Sequence, residues 1–185
     1  AFTRFGRVRL MPGRAIDAAA VHDADALLVR SITRVDRALL AGSRVRFVAT
    51  ATAGTDHVRV DELDALGIRF AHAPGSNADS VVDYVLGVLA LAFAPPRGLA
   101  GRTVGIVGCG QVGARLLARL RALGVPCRVH DPLLTRDIPP ESCSLEETLG
   151  CDVLSLHVPL TRDGAHATRH MIGARELARL RDEAL

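Results

Sequence analysis

The sequence predicts an α/β protein made of two consecutive parallel-sheet segments, and three observations predict it. Short runs rich in Val, Leu and Ile alternate with helix-patterned runs along the chain, as in βαβ units. A glycine loop, Gly108-Cys109-Gly110-Gln111-Val112-Gly113, stands between an apolar run and an amphipathic one. Between the two segments lies Ala94-Pro95-Pro96-Arg97-Gly98, whose prolines and glycine end any helix and mark a linker. The expected domains are therefore residues 1–94 and 95–185.

In the first segment Ala26-Leu27-Leu28-Val29-Arg30 reads as a buried strand, and Asp36 to Ala41 suits a short helix. Val45 to Thr50 is a second strand, and Val60 to Leu66 a helix ended by Gly67. Ile68 to His72 is a third strand. Asn77 to Ala92 is apolar nearly all round, which predicts a buried helix started by Ser76, Asn77 and Asp79. In the second segment Thr103 to Val107 is an apolar strand. The helix after it carries Val112, Leu116, Leu117, Leu120 and Leu123 on one face. Val125 to His130 and Asp152 to His157 are further strands, and Ser144-Leu145-Glu146-Glu147 has the form of a capping box. The chain starts without Met and stops near a helix, so both segments are expected to be truncated.

The glycine loop carries the clearest chemistry. A strand before it and a helix after it are the surroundings that a dinucleotide-binding turn requires. Gly108 permits the tight turn, Gly110 lets backbone approach a pyrophosphate, and Gly113 lets the helix pack close to the sheet. The N–H groups that open the helix, with its dipole behind them, attract phosphate. Asp131 ends the next strand, where a carboxylate hydrogen-bonds the ribose 2′-hydroxyl of NAD and repels the 2′-phosphate of NADP. Upstream, Arg30-Ser31 and the run Thr50-Ala51-Thr52-Ala53-Gly54-Thr55-Asp56-His57 follow two strands. Both runs fall at carboxyl ends, where parallel sheets bind ligands. Arg30 offers a cation to an anionic substrate. Of the seven histidines, His57 and His72 are the best placed, and His157 ends a strand near the cofactor, yet none is singled out as a proton shuttle.

Composition excludes several functions. The net charge is +3, but all 23 basic residues are Arg and they are scattered, with aromatics at only 3%, so no nucleic-acid surface is marked. With no Lys, neither a Schiff base nor a phosphate-loop lysine is available. The four cysteines form no C-x-x-C pair and have no His at zinc spacing, which predicts free thiols and no metal site. Val81 to Ala92 is too short to span a bilayer and contains Asp83. A cytoplasmic protein with no membrane contact is expected.

These residues resemble a known family. The run Val29-Arg30-Ser31-Ile32-Thr33-Arg34-Val35, the glycine loop and Leu156-His157-Val158-Pro159-Leu160 are similar to the D-isomer-specific 2-hydroxyacid dehydrogenases. Pro12-Gly13-Arg14, Thr50 to His57 and Ala73-Pro74-Gly75 narrow the resemblance to a member acting on a phosphorylated 2-hydroxy acid. The resemblance implies a flavodoxin-like substrate domain, lacking its first strand here, followed by a Rossmann NAD-binding domain. It implies oxidation of a small phosphorylated 2-hydroxy acid, with hydride passing to NAD. By motif position Ser31 and Thr52 would contact substrate, Asp131 the adenosine ribose, and Gln111 and Val112 the pyrophosphate. Val158 stands at a cofactor position where Thr is usual, so only its backbone serves there. The resemblance also implies a catalytic Arg, Glu and His beyond Leu185, so no catalytic residue is expected in this chain. The 185 residues alone are then expected to be inactive, and the parent a homodimer. Two alternatives stay open: a relative acting on phosphoglycerate or glyoxylate, and a non-catalytic NAD-sensing module on the same fold.

Overall fold

The structure is a computed structural model describing residues 2–94 and 98–185. Pro95, Pro96 and Arg97 of the expected linker lie outside the described residues. The chain divides into two compact units, Ala1–Ser76 and Asn77–Leu185.

In the first unit one turn of helix, α1 (Ala18–Val21), precedes β1 (Ala26–Val29). Asp17 caps α1 by accepting from the Ala20 N–H at 2.8 Å. Asp36 does the same for α2 (Arg37–Leu40), accepting from the Leu39 N–H at 3.1 Å. β2 (Phe47–Thr50), α3 (Val60–Ala65) and β3 (Arg69–Ala71) follow. The three strands pair in parallel in the order β1-β2-β3, with Val29 opposite Thr50 and Ala49 opposite Ala71. Leu27, Val29 and Val48 enter a core with Val35, Leu40 and Leu63. Leu28, on the other face of β1, is 47% exposed. The apolar run predicted a strand buried throughout; the core lies against one face only, and alternate side chains leave a strand on opposite faces.

The second unit begins with α4 (Ala78–Ala92), β4 (Val104–Val107), α5 (Gln111–Ala122) and β5 (Cys127–His130). It continues with α6 (Leu145–Leu149), β6 (Val153–Leu156) and α7 (Ala174–Leu177). The sequence placed α4 before the break at Ala94 as a buried helix. Instead α4 packs against α5, within the second unit. Val82, Leu89 and Phe93 reach the core, with Val85 and Leu86 half-buried beside them. That helical stripe is the only buried seam, and Tyr84 and Leu91 are 73% and 81% exposed.

The strand order is β5-β4-β6, all parallel. All four residues of β4 are buried, as befits a central strand covered on both faces. A single parallel bridge joins Val129 of β5 to Ser142. On the far side of β6, the Leu154 N–H donates to the Leu185 carbonyl at 2.9 Å and the Leu185 N–H to the Asp152 carbonyl at 3.1 Å. Ser144 and Glu147 form the expected capping box at the start of α6.

Candidate functional site

β4 delivers the chain to the glycine loop at the carboxyl end of its sheet. From there α5 leads to β5 on one side, and the chain later returns to β6 on the other. β4 therefore flanks the switch point where such sheets open a crevice. The three glycines meet three different surroundings. Gly108 has φ +90°, and a Cβ there would lie 2.7 Å from the His157 carbonyl oxygen. A Cβ on Gly113 would lie 1.9 Å from the Gly108 carbonyl oxygen, so only glycine lets α5 start this close to the turn. A Cβ on Gly110 would meet nothing within 4 Å. That open face lies over the first turn of α5, which no side chain caps.

Asp131 follows β5 and turns back onto the loop. Its Oδ2 accepts from the Cys109 N–H at 2.8 Å and its Oδ1 from the Leu133 N–H at 3.1 Å. The carboxylate thus braces the loop that it borders. Gly108, Gly110, Asp131, His157 and Val158 line one cavity of about 350 Å³. Gln111 lies on the adjoining side of the loop; its side-chain oxygen accepts from the Arg115 guanidinium at 2.9 Å. Arg115 also reaches Asp79 at 3.6 Å. Val112 packs half-buried against the core. Val158 stands close enough that its Cγ1 would lie 2.8 Å from a Cβ on Gly108.

Three contributors to the cavity carry no signal in the sequence. His166, Thr168 and Met171 enter it from a loop after β6. That loop is clasped at its neck: the Thr161 N–H donates to Thr168 Oγ1 at 2.8 Å, and the Thr168 N–H to Thr161 Oγ1 at 3.0 Å. His157, which lines the cavity, has Nε2 2.9 Å from Ser155 Oγ. Burial pushes its imidazole below the ordinary histidine range, which favours the neutral ring. All four cysteines are free. Burial raises the thiols of Cys109 and Cys151, and that of Cys127 to about 11, so these three are poor nucleophiles.

In the first unit, the pairing of Val29 with Thr50 places Ser31 and Thr52 at neighbouring strand exits. The Ala51 N–H donates to the Val29 carbonyl at 3.0 Å and keeps the two exits together. Ser31 is exposed on a turn, and Thr52 is half-buried. The run after β2 is held from the end of β3, just past which His72, stacked on Phe70, donates its Nδ1–H to the Ala53 carbonyl at 3.2 Å. His57 is held inward, with Nε2 2.9 Å from Thr50 Oγ1.

The chain belongs to the D-isomer specific 2-hydroxyacid dehydrogenases, whose catalytic-domain family model matches residues 10–181. Among its curated relatives, a protein named erythronate-4-phosphate dehydrogenase from Azotobacter vinelandii is 55% identical over 186 residues, which is 97% of this chain and 48% of that one. A protein of the same name from Pseudomonas putida F1 is 52% identical, covering 99% of this chain and 49% of its own length. The chain thus spans about half the length of the curated relatives it matches. Among solved structures, NAD+-bound 3-phosphoglycerate dehydrogenase from Entamoeba histolytica superposes with a TM-score of 0.74 at 29% identity, over 89% of this chain and 55% of that one. D-Lactate dehydrogenase from Aquifex aeolicus, complexed with NAD and lactic acid, gives 0.75 at 23% identity, over 91% and 57%. Two parallel sheets flanked by helices are the architecture the sequence predicted. Among the described residues no helix is long and apolar enough to cross a membrane.

Proposed function

We propose that this chain carries the substrate-binding and NAD-binding segments of an erythronate-4-phosphate dehydrogenase. The reaction is oxidation of 4-phospho-D-erythronate at its 2-hydroxyl, in the biosynthesis of pyridoxal phosphate (vitamin B6). The proposed substrate segment is residues 1–94 and the proposed NAD segment 95–185, with α4 of the former packed into the second compact unit. The observation that carries the substrate assignment is the 55% identity with a relative of that name over 97% of this chain.

The cradle at the glycine loop fits a dinucleotide. The open side of Gly110 admits a pyrophosphate, Gly108 and Gly113 hold the turn, and the backbone N–H groups of Gln111 and Val112, in the uncapped first turn of α5, are the donors for it. Asp131 accepts from the adenosine ribose, and Val158 contributes backbone only. When bound, NAD supplies the hydride acceptor. Ser31 and Thr52 hold the phosphorylated hydroxy acid, and the exposed Arg30 beside them attracts its anionic groups. The proposal extends to a cytoplasmic homodimer with no nucleic-acid or membrane partner, and the four free thiols fit a reducing compartment.

The test is turnover by the protein at its full natural length. With NAD it is expected to oxidise 4-phospho-D-erythronate at least a hundredfold more efficiently than 3-phosphoglycerate, which is about 2.7 kcal/mol of discrimination. Equal or reversed kcat/KM values would move the assignment to another member of the family, and no turnover of either would favour an NAD-sensing module.

A further inference from the structure

Three side chains at and after the end of β2 form a polar chain whose direction is fixed by counting protons. Thr52 Oγ1 lies 2.8 Å from the Gly54 carbonyl, which only accepts, so the Thr52 hydroxyl proton is spent there. Thr50 Oγ1 lies 2.7 Å from Thr52 Oγ1, so Thr50 is the donor of that bond. The single Thr50 proton is then used, and its 2.9 Å contact with His57 Nε2 requires His57 to donate. A ring with a single proton therefore carries it on Nε2. His57 Nδ1 is buried with no partner among the described residues, and in this tautomer what is left unpaired there is a lone pair and not an N–H.

The backbone holds two members of this chain, His57 and Thr50, in place. The Val35 N–H donates to the His57 carbonyl at 2.8 Å, beside the buried parallel bridge between Val35 and Val58. Thr50 is only 3% exposed and pairs with Val29 in the sheet. Such chains reinforce each link in a low-dielectric setting.

We propose that His57 is a positioning residue that, through Thr50, fixes the Thr52 hydroxyl as a hydrogen-bond acceptor toward substrate, so that Thr52 recognises a substrate hydroxyl and not its carboxylate or phosphate. The Thr52 proton goes to Gly54 and one of its lone pairs takes the Thr50 proton, which leaves one lone pair for a ligand. Ionised carboxylate and phosphate oxygens only accept, so they cannot bind there. The inference rests on the proposed placement of Thr52 against the phosphorylated hydroxy acid. It adds the relay behind Thr52 and the group that Thr52 recognises.

Two experiments test it in the protein at full natural length. In the first, Thr50→Val keeps shape while removing the relay, His57→Leu removes its origin, and His57→Gln restores an N–H near the position of Nε2. Thr50→Val and His57→Leu are expected to raise KM for 4-phospho-D-erythronate about tenfold, with KM for NAD unchanged. His57→Gln recovers most of that loss. The inhibition constant of 4-phosphobutanoate, which keeps both anionic groups and lacks both hydroxyls, stays at its wild-type value in all three. Parallel rises in both KM values, failure of His57→Gln to improve on His57→Leu, or an equal weakening of 4-phosphobutanoate would each overturn the proposal. The second experiment needs no substrate: ¹⁵N NMR of the imidazole is expected to show the Nε2–H tautomer, and the Nδ1–H tautomer refutes the relay. Absence of turnover would count against the dehydrogenase reading alone, and the tautomer would still decide the relay.

Discussion

Gly110 and Gly113 differ by three positions and tolerate opposite things. Nothing stands within 4 Å of a side chain added at Gly110, whereas Gly113 lies against the Gly108 carbonyl. The first leaves open space beside the loop, and the second is needed for the close approach of α5 to the turn. Asp131 serves both ends, since it already accepts the Cys109 N–H at 2.8 Å while bordering the cavity. Asp131→Asn retains an oxygen for Cys109, gives up the exposed bond from the Leu133 N–H, and removes the charge that repels a 2′-phosphate. It is expected to leave the fold intact and to lower the ratio of NAD to NADP kcat/KM at least tenfold, about 1.4 kcal/mol. An unchanged ratio would show that the carboxylate is structural only. The glycines and Asp131 were legible in the sequence because their spacing is local. The Thr50–Thr52–His57 chain was not, because its members meet only after the Val35–Val58 bridge and the His72–Ala53 contact have bent the intervening loop.

At the scale of elements, one side chain ties the entrance of β4 to the entrance of β6. Asp152 accepts from the Thr103 N–H at 2.8 Å and the Thr103 hydroxyl at 3.0 Å, and pairs with Arg181 at 3.0 Å. The Thr103 N–H bond leads the forces that hold this carboxyl below the usual Asp value of 3.8. A depressed folded-state value means that the tie contributes fully above the unfolded value and is lost as pH falls below it. Asp152→Asn is therefore expected to cost about 1 kcal/mol at pH 7 and to flatten the acid limb of the stability profile below pH 4, as read by denaturant unfolding across pH. An unaltered acid limb would assign the acid sensitivity to other carboxylates. Most strands, and the capped start of α6, follow from periodicity and turn chemistry. α1 escapes such a reading, since Ala18-Ala19-Ala20 has no apolar stripe and Asp17 is its main signal. The burial of α4 escapes it as well, because uniform apolarity does not say which side finds a partner.

At the scale of the whole molecule, the two hydrophobic cores share no residue: one gathers Val21 to Ile68, the other Val82 to Val153. A ligand held only by the second unit stabilises that unit and leaves the other as it was. NAD at a hundred times its Kd is expected to slow amide exchange about a hundredfold in β4, α5 and β5, with β1, β2 and β3 unchanged. Equal protection of both sheets would show that they open as one. The two strand orders also bear on how the chain leaves the ribosome. In the order β1-β2-β3 each new strand joins the one made just before it, so the first sheet can assemble as it is synthesised. In the order β5-β4-β6 the central strand gains one neighbour early and must wait for the other until α6 has been made. During that interval the nascent protein carries an apolar β4 with one bare edge. A bare apolar edge of that kind is the segment most exposed to pairing with a wrong partner.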